Sequence, residues 1–449
     1  METWCRTGLV MVVIISLAAA PLVAVADTPA PAPRALVDGR SVTERGPELL
    51  DLPALLEEAR HVNPEILAAR KRWEALRAKI PQATGLPAPR VGIEVEEIPR
   101  GTVRVNQATL IYQLIQALPF PGKLSLRGQV AVKEAQQAAM AFKQVEWDVT
   151  ALLTSTYDEL WLLDRELEIQ QQQLLWLQPA AAVAQARYAT GAAPQAELLR
   201  AQAAAVDASN AIMVFTHHRR AMAAHLNHLL NRPAHQTIGR PGPIPLHPVP
   251  SSPEALFAQA LEHQPELLAA RFSSERAEAA WRLAKRERWP DLETMVALRD
   301  PAMGPIGPWD LTLALVLPFW FWTKQQYGVK AALFDTESAQ AAYRAMQNEV
   351  ARRIHEHWHE ASAAHGTAVL CSDYLIPLGR QAVASALAAY QGGRGSLPTV
   401  LEALQQLSEQ ERRYDQQLVT LEQHRVMLEQ AVGLPLDDGE AALTAGGGR

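Results

Sequence analysis

The chain has 449 residues, 48% of them hydrophobic but only 6% aromatic, and its 42 Lys and Arg against 48 Asp and Glu leave a net charge of −6. A mildly acidic chain without a basic stripe excludes a nucleic-acid binder, and two cysteines, Cys5 and Cys371, exclude both a disulfide-rich scaffold and a cysteine-based metal cluster. Alanine runs such as Ala180–Ala182 and Ala203–Ala205 point to a mostly helical, closely packed molecule.

Residues 1–26 read as a secretory signal peptide: Arg6, an apolar run from Leu9 to about Ala20, then Ala24-Val25-Ala26 ahead of Asp27. An uncleaved anchor helix is the alternative, because Leu9 to Ala26 approaches the length that crosses a bilayer. Residues 27–50 form an extended N-terminal segment. Beyond it the chain is duplicated. Leu52-Pro53-Ala54-Leu55 with Asn63-Pro64-Glu65-Ile66-Leu67-Ala68-Ala69-Arg70 returns, 201 positions later, as Pro253-Glu254-Ala255-Leu256 with Gln264-Pro265-Glu266-Leu267-Leu268-Ala269-Ala270-Arg271.

The first unit, 51–231, holds strands at about 89–97 and 108–117, a long helix 124–187 and a return helix 194–231. A proline-rich linker, 232–252, separates it from the second unit, 253–433. That unit opens with a helix from Pro253 to Arg288. Strands at about 290–299 and 308–317, a long helix 324–389 and a return helix 398–432 come next, and 434–449 is a flexible tail. The strands are read from period two, as in Val91, Ile93 and Val95 or Leu311, Leu313, Leu315 and Leu317. Each pair encloses a Gly- or Pro-containing connection, Pro99 to Asn106 and Pro301 to Gly307, and so forms a hairpin. Pro179 and Pro377, at nearly matching positions, kink the long helices.

Strands of about nine residues match a tilted membrane-spanning β-strand, yet four of them close no barrel. Three chains sharing one 12-stranded barrel is the simplest closed arrangement of reasonable size. A small soluble mixed domain fits the strand pattern alone, but helices near 100 Å are foreign to ordinary globular domains.

This duplicated order of hairpin, long helix and return helix resembles the TolC-type family of outer-membrane efflux proteins, across nearly the whole mature chain. The resemblance implies an α+β membrane protein in the outer membrane: a homotrimer whose 12-stranded transmembrane β-barrel, four strands per chain, continues into a long periplasmic α-helical barrel. It implies a passive exit duct that meets a periplasmic adaptor, and through it an inner-membrane pump of the RND type, with lipid around the barrel and no cofactor. Pro119-Phe120-Pro121-Gly122-Lys123 is similar to the marker of the heavy-metal efflux branch, which implies cobalt, zinc, cadmium, copper or silver as cargo. Drug efflux and type I protein secretion are the alternatives within the family, and a non-transporting periplasmic coiled-coil protein is the alternative outside it.

Within that resemblance, Tyr188, Gly191, Tyr390, Gly392, Gly393 and Arg394 fall at the two far tips that bind the adaptor. Glu197, Thr399 and Glu402 fall where family members place an acidic, cation-sensitive gate, and Gly395 stands where a basic gate residue can occur. An ordinary tight turn accounts equally for the tip glycines, and a solvated helix start for the glutamates. His355, His357 and His359, with His355 and His359 on one helix face, invite a metal reading, but no Asp or Cys completes a site. No metal centre is assigned to the chain. Nothing resembles a His-Glu-x-x-His, Gly-x-Ser-x-Gly or phosphate-loop motif, so no catalytic residue is assigned either.

Overall fold

The computed structural model describes residues 49–96, 109–249, 252–299 and 309–436. The signal peptide, most of segment 27–50, both hairpin connections and the tail beyond residue 436 lie outside the described residues.

Both repeats begin alike. β1 (Leu49–Leu50) leads into α1 (Leu52–Val62) and α2 (Pro64–Thr84); the counterparts are α5 (Pro253–His263) and α6 (Pro265–Arg286). Proline lacks the N–H that would continue a helix, so each pair breaks there and the preceding residue caps the second helix. Asn63 Oδ1 accepts from the N–H groups of Glu65 (2.8 Å) and Ile66 (3.3 Å), and Gln264 Oε1 accepts from that of Leu267 (2.5 Å). The single helix read from Pro253 to Arg288 is therefore two, divided at Gln264.

Four strands make one antiparallel sheet: β2 (Arg90–Glu96), β3 (Thr109–Leu118), β5 (Asp291–Arg299) and β6 (Trp309–Val316), in the order β2-β3-β5-β6. Each repeat gives one hairpin, and β3 joins them by pairing with β5. The register sorts the side chains by chemistry. Val91, Ile93 and Val95 share a face with Tyr112 and Leu114, with Val296 and Leu298, and with Trp309, Leu311, Leu313 and Leu315. All eleven are more than a third exposed, so no described part of the chain covers them. The opposite face carries every charged residue of the four strands: Arg90, Glu94, Glu96, Asp291, Glu293, Arg299 and Asp310. These pair across strands, Arg90 with Glu293 (3.0 Å) and Arg299 with Asp310 (3.0 Å) and Glu96 (3.5 Å). Among the described residues, β2 and β6 each leave one edge unpaired.

The sheet passes directly into the helices. α3 (Lys123–Ala189) has 67 residues and is about 100 Å long. α4 (Gln195–Leu229) returns along it. In the second repeat the long helix read as continuous is divided: α7 (Gln326–Leu370) follows a wide π-type turn at Phe321–Gln325, and a second such turn at Cys371–Leu375 precedes α8 (Ile376–Gln391). Pro377 explains the second interruption, because its ring crowds the carbonyl four residues back, at Asp373, and the wide turn around Asp373 relieves that clash. Pro179 has no such turn, and α3 stays helical through it. α9 (Leu397–Val432) completes the set. No described helix is long and apolar enough to cross a membrane.

The duplication reaches into the core. Leu55, Ala59, Val149, Leu153, Leu226 and Leu230 form one buried cluster, and Leu256, Ala260, Val350, Ile354, Leu428 and Val432, their repeat counterparts, form another. Leu153 and Ile354 are wholly buried, each contributing about 1.5–3 kcal/mol from the water it sheds. A third cluster, with Leu177, Ala184, Ala201, Val383, Leu397 and Val400, holds α3, α4, α8 and α9 together toward the far tips.

Two junctions brace this frame, one at the sheet and one at mid-height. At the sheet, Lys123 Nζ is buried and donates to Asp291 Oδ1 (2.7 Å) and the Trp289 carbonyl (2.8 Å), while Phe120 stacks on Trp289 at 5.2 Å. Gly122 starts α3 at a φ of 92°. The Pro119–Lys123 marker therefore has a local role in turning strand into helix. At mid-height the linker is strapped to α3: β4 (Arg240–Pro241) pairs in parallel with β1, and the Tyr157 hydroxyl donates to the Leu50 carbonyl (3.1 Å) and accepts from the Gly242 N–H (2.8 Å). Residues 434–436, placed in the flexible tail by the sequence, pack instead: Leu434 and Leu436 lie on the second repeat's core, and Arg425 donates to the Leu436 carbonyl.

Candidate functional site

The two far tips are the same turn made twice. Gly191 donates to the Tyr188 carbonyl (2.9 Å) and Ala192 to that of Arg187 (2.8 Å); Gly393 donates to Tyr390 (3.1 Å) and Arg394 to Ala389 (3.0 Å). Gly191 and Gly393 have φ of 72° and 75°, a conformation that strains any other residue. Gly392, at φ −76°, needs no such freedom. At Gly395 a side chain has no room, because a Cβ there would lie 2.8 Å from the Tyr390 backbone nitrogen. The absence of a basic residue at this position thus follows from close backbone packing.

Tyr188 and Tyr390 hold matching places in the repeat but differ in surroundings. Tyr188 is 43% exposed, whereas Tyr390 is completely buried. The Tyr390 hydroxyl donates to Glu197 Oε1 (2.7 Å), the Arg187 guanidinium stacks 5.2 Å from its ring centre, and Arg187 Nη1 stands 3.9 Å from the same Glu197 oxygen. Burial, then the hydrogen bond to Glu197, pushes the phenol up to about 12, so it remains a donor at neutral pH. Tyr390 is thus an internal tie between the two hairpins and is not presented at the surface as a docking side chain. Glu197, read as a gate carboxylate, is the other half of that tie.

The other two residues read from the sequence as a gate stand apart from it. Thr399 is exposed and shares a hydrogen bond with Ser396 (2.9 Å). Glu402 is exposed on the outer turns of α9 and makes no hydrogen bond or ion pair among the described residues. No hydrogen bond or ion pair among the described residues joins Glu197, Thr399 and Glu402. Gly191, Gly392, Gly393 and Arg394 are exposed with Tyr188. Sequence reasoning misses Arg187. The signal is the repeat itself, which sets Ala389 opposite Arg187 and Thr399 opposite Glu197 while keeping both tyrosines.

A second concentration of ionisable groups lies at mid-height. Arg219 bridges Asp164 (2.6 Å) and the Gly239 carbonyl (2.9 Å), and Arg165 reaches Asp415 (3.2 Å) and Glu168 (2.5 Å). Asp158 is buried with one carboxylate oxygen unsatisfied. Burial first, then the charges of Glu422 and Glu159, pushes Asp158 up to about 8. Asp415 is pushed up to about 6 by burial, with Arg165 opposing. Among the described residues no group of three or more His, Cys, Asp or Glu is arranged to hold a metal ion. His355 and His359 point to solvent, whereas His357 between them faces α9.

The outer membrane efflux protein family matches this sequence twice, at residues 55–232 and 256–434, one match on each structural repeat. The chain belongs to the outer membrane efflux protein family. Solved structures agree in fold. VceC from Vibrio cholerae superposes with a TM-score of 0.72 at 17% identity, over 86% of this chain and 97% of that one. CusC gives 0.74 at 15% identity, over 85% and 92%. The open state of the MtrE outer membrane channel of Neisseria gonorrhoeae gives 0.72 at 14%, over 86% and 90%. Nothing among curated protein sequences matches the chain. As a member of this efflux family the chain is an outer-membrane channel protein: its sheet belongs to the membrane and its helices extend into the periplasm.

Proposed function

We propose that three copies of the chain form the outer-membrane exit duct of a tripartite efflux pump and passively conduct heavy-metal cations across periplasm and outer membrane. The observation that carries the duct is the four-stranded sheet, apolar on one face, charged on the other and, among the described residues, unpaired at both edges. In hydrocarbon every backbone group needs a partner, so the edges must close on other copies, β2 of one against β6 of the next. The apolar face then meets lipid and the charged face lines a lumen. Trp309 near one end of β6 and Trp320 and Trp322 beyond the other are more than a third exposed, as residues at the two membrane interfaces would be.

The cargo reading rests on charge. The lumen face of the described strands has five carboxylates, Glu94, Glu96, Asp291, Glu293 and Asp310, against two guanidiniums, Arg90 and Arg299, and Lys123 offsets Asp291, which leaves an excess of two carboxylates per chain. Such a face concentrates cations three times over in a trimer. Glu402 adds three carboxylates near the tip. The similarity of Pro119–Lys123 to the heavy-metal branch supports the same reading, although that marker also serves the strand-to-helix junction.

Tyr188, Gly191, Gly392, Gly393 and Arg394 form the adaptor-binding tip, with Tyr390 supporting it from within, and the adaptor links the duct to an inner-membrane pump. Gating follows from the unequal repeats. Inside one chain the hairpins are tied by Glu197, Tyr390 and Arg187, and the aperture opens as those hairpins draw apart and break the tie; the matching repeat positions, Thr399, Tyr188 and Ala389, offer neither the carboxylate nor the guanidinium for a second one. Leu313→Arg tests the duct: about 2–4 kcal/mol of lipid-face penalty per chain removes the trimer from outer-membrane fractions, while Thr312→Arg on the lumen face leaves it there. A trimer that tolerates Leu313→Arg overturns the barrel. Loss of the gene without change in cobalt, zinc, cadmium, copper or silver tolerance overturns the cargo.

A further inference from the structure

α7 and α9 pack against each other through apolar side chains, Trp358 and Val432 in one cluster, Ala361 and Leu421 in the next. Between these clusters the interface holds two imidazoles. Nδ1 of His357 lies 3.2 Å from Nδ1 of His424, with ring centres 5.4 Å apart and planes inclined by 36°. Both rings are half-buried, and they come from positions 67 residues apart.

At this separation two neutral imidazoles share a proton, one Nδ1–H donating to the other Nδ1. If the donor's proton moves to its Nε2, both Nδ1 atoms hold a free lone pair at this spacing. Two nitrogens bound to a tetrahedral Zn²⁺ at about 2.0–2.1 Å stand about 3.3 Å apart, so the pair already has the spacing of two ligands on one ion. Glu360 and Glu356, the latter paired with Arg352, lie one turn apart on α7 beside the pair.

We propose that His357 and His424 form a two-imidazole site for a borderline divalent cation, Zn²⁺ or Cu²⁺, that clips α7 to α9. No third His, Cys, Asp or Glu among the described residues stands in ligating position, so water completes the coordination. This is a site in a helix interface, independent of what the lumen conducts.

The test is titration of the chelator-stripped, full-length protein in detergent with Zn²⁺ by calorimetry, together with the electron paramagnetic resonance spectrum of the Cu²⁺ form. One Zn²⁺ per chain is expected, weakened at least tenfold by His357→Gln and by His424→Gln and unchanged by His355→Gln and His359→Gln. The Cu²⁺ spectrum should show coupling to two nitrogens and lose one in each of the first two variants. The absence of saturable one-per-chain binding in the wild type, which needs no variant to fold, overturns the site. So does binding that survives His424→Gln or that follows His355 and His359 instead.

Discussion

Tyr390→Phe removes one hydroxyl from the tip and leaves the ring, its burial and its contact with Arg187 in place. The lost interaction is a 2.7 Å hydrogen bond onto the Glu197 carboxylate. Hydrogen bonds to charged groups contribute about 1.5–3 kcal/mol, and Glu197 loses its only short partner among the described residues, since Arg187 stays 3.9 Å away. Any opening that draws the two hairpins of a chain apart becomes easier by that amount, which is roughly a 10- to 150-fold shift per chain. Single-channel recording in planar bilayers reads the shift as a higher open probability or a larger conductance, and thermal unfolding reads it as a lower Tm. Glu197→Gln, which keeps an acceptor and removes its charge, is expected to move both in the same direction by less. Tyr188→Phe, altering an exposed hydroxyl, is expected to move neither. The reasoning fails if Tyr390→Phe matches the wild type in conductance and Tm, or if Tyr188→Phe has the same effect.

Two further outcomes concern a buried carboxyl and a crowded turn. Asp158 holds its proton to about pH 8 in the fold and releases it near pH 4 when unfolded, so the folded chain binds more protons across that window and stability falls as pH rises through it, by up to about 1.4 kcal/mol per pH unit. Asp158→Asn should therefore be the more stable protein at pH 8, with the advantage vanishing toward pH 4; parallel Tm curves across the series would refute the raised value. Gly395→Ala should damage the tip more than Gly191→Ala, because its Cβ meets backbone at 2.8 Å whereas Gly191 has open space and only its φ of 72° to defend. The second change costs about 1–2 kcal/mol, and limited proteolysis at residues 186–194 for Gly191→Ala and at residues 388–396 for Gly395→Ala ranks the two.

Much of the frame is readable from local pattern. Period two finds the strands because one face of each is mainly apolar, interrupted only by Gln116 and Thr294 among the described strand residues, and the 201-residue offset finds the repeat because its signature, Asn63-Pro64 against Gln264-Pro265, is a helix cap with the same job in both copies. The alternation also carries the charge sorting, since Arg90, Glu94 and Glu96 fall on even positions between Val91, Ile93 and Val95. Local pattern does not carry which distant side chains meet. Tyr390 and Glu197 are 193 positions apart, and the burial of one tyrosine and exposure of its twin depend on which hairpin lies alongside. Likewise the run His355 to His359 draws attention to the outward pair, while the residue that matters in the interface, His357, finds its partner on another helix. The interruption at Cys371–Leu375 is hidden for a different reason. Pro377 announces a disturbance, but a kink and a widened turn satisfy the same clash, and only packing selects between them.

The bare edges of the sheet bear on inheritance as well as architecture. In the proposed barrel of three copies no copy can be spared, so a chain with an altered β2 or β6 would spoil each assembly it enters. In a cell making both forms, the fraction of wholly normal ducts falls with the third power of the normal chain's share. Edge substitutions should therefore be dominant, while substitutions that prevent the chain from reaching the membrane at all should be recessive.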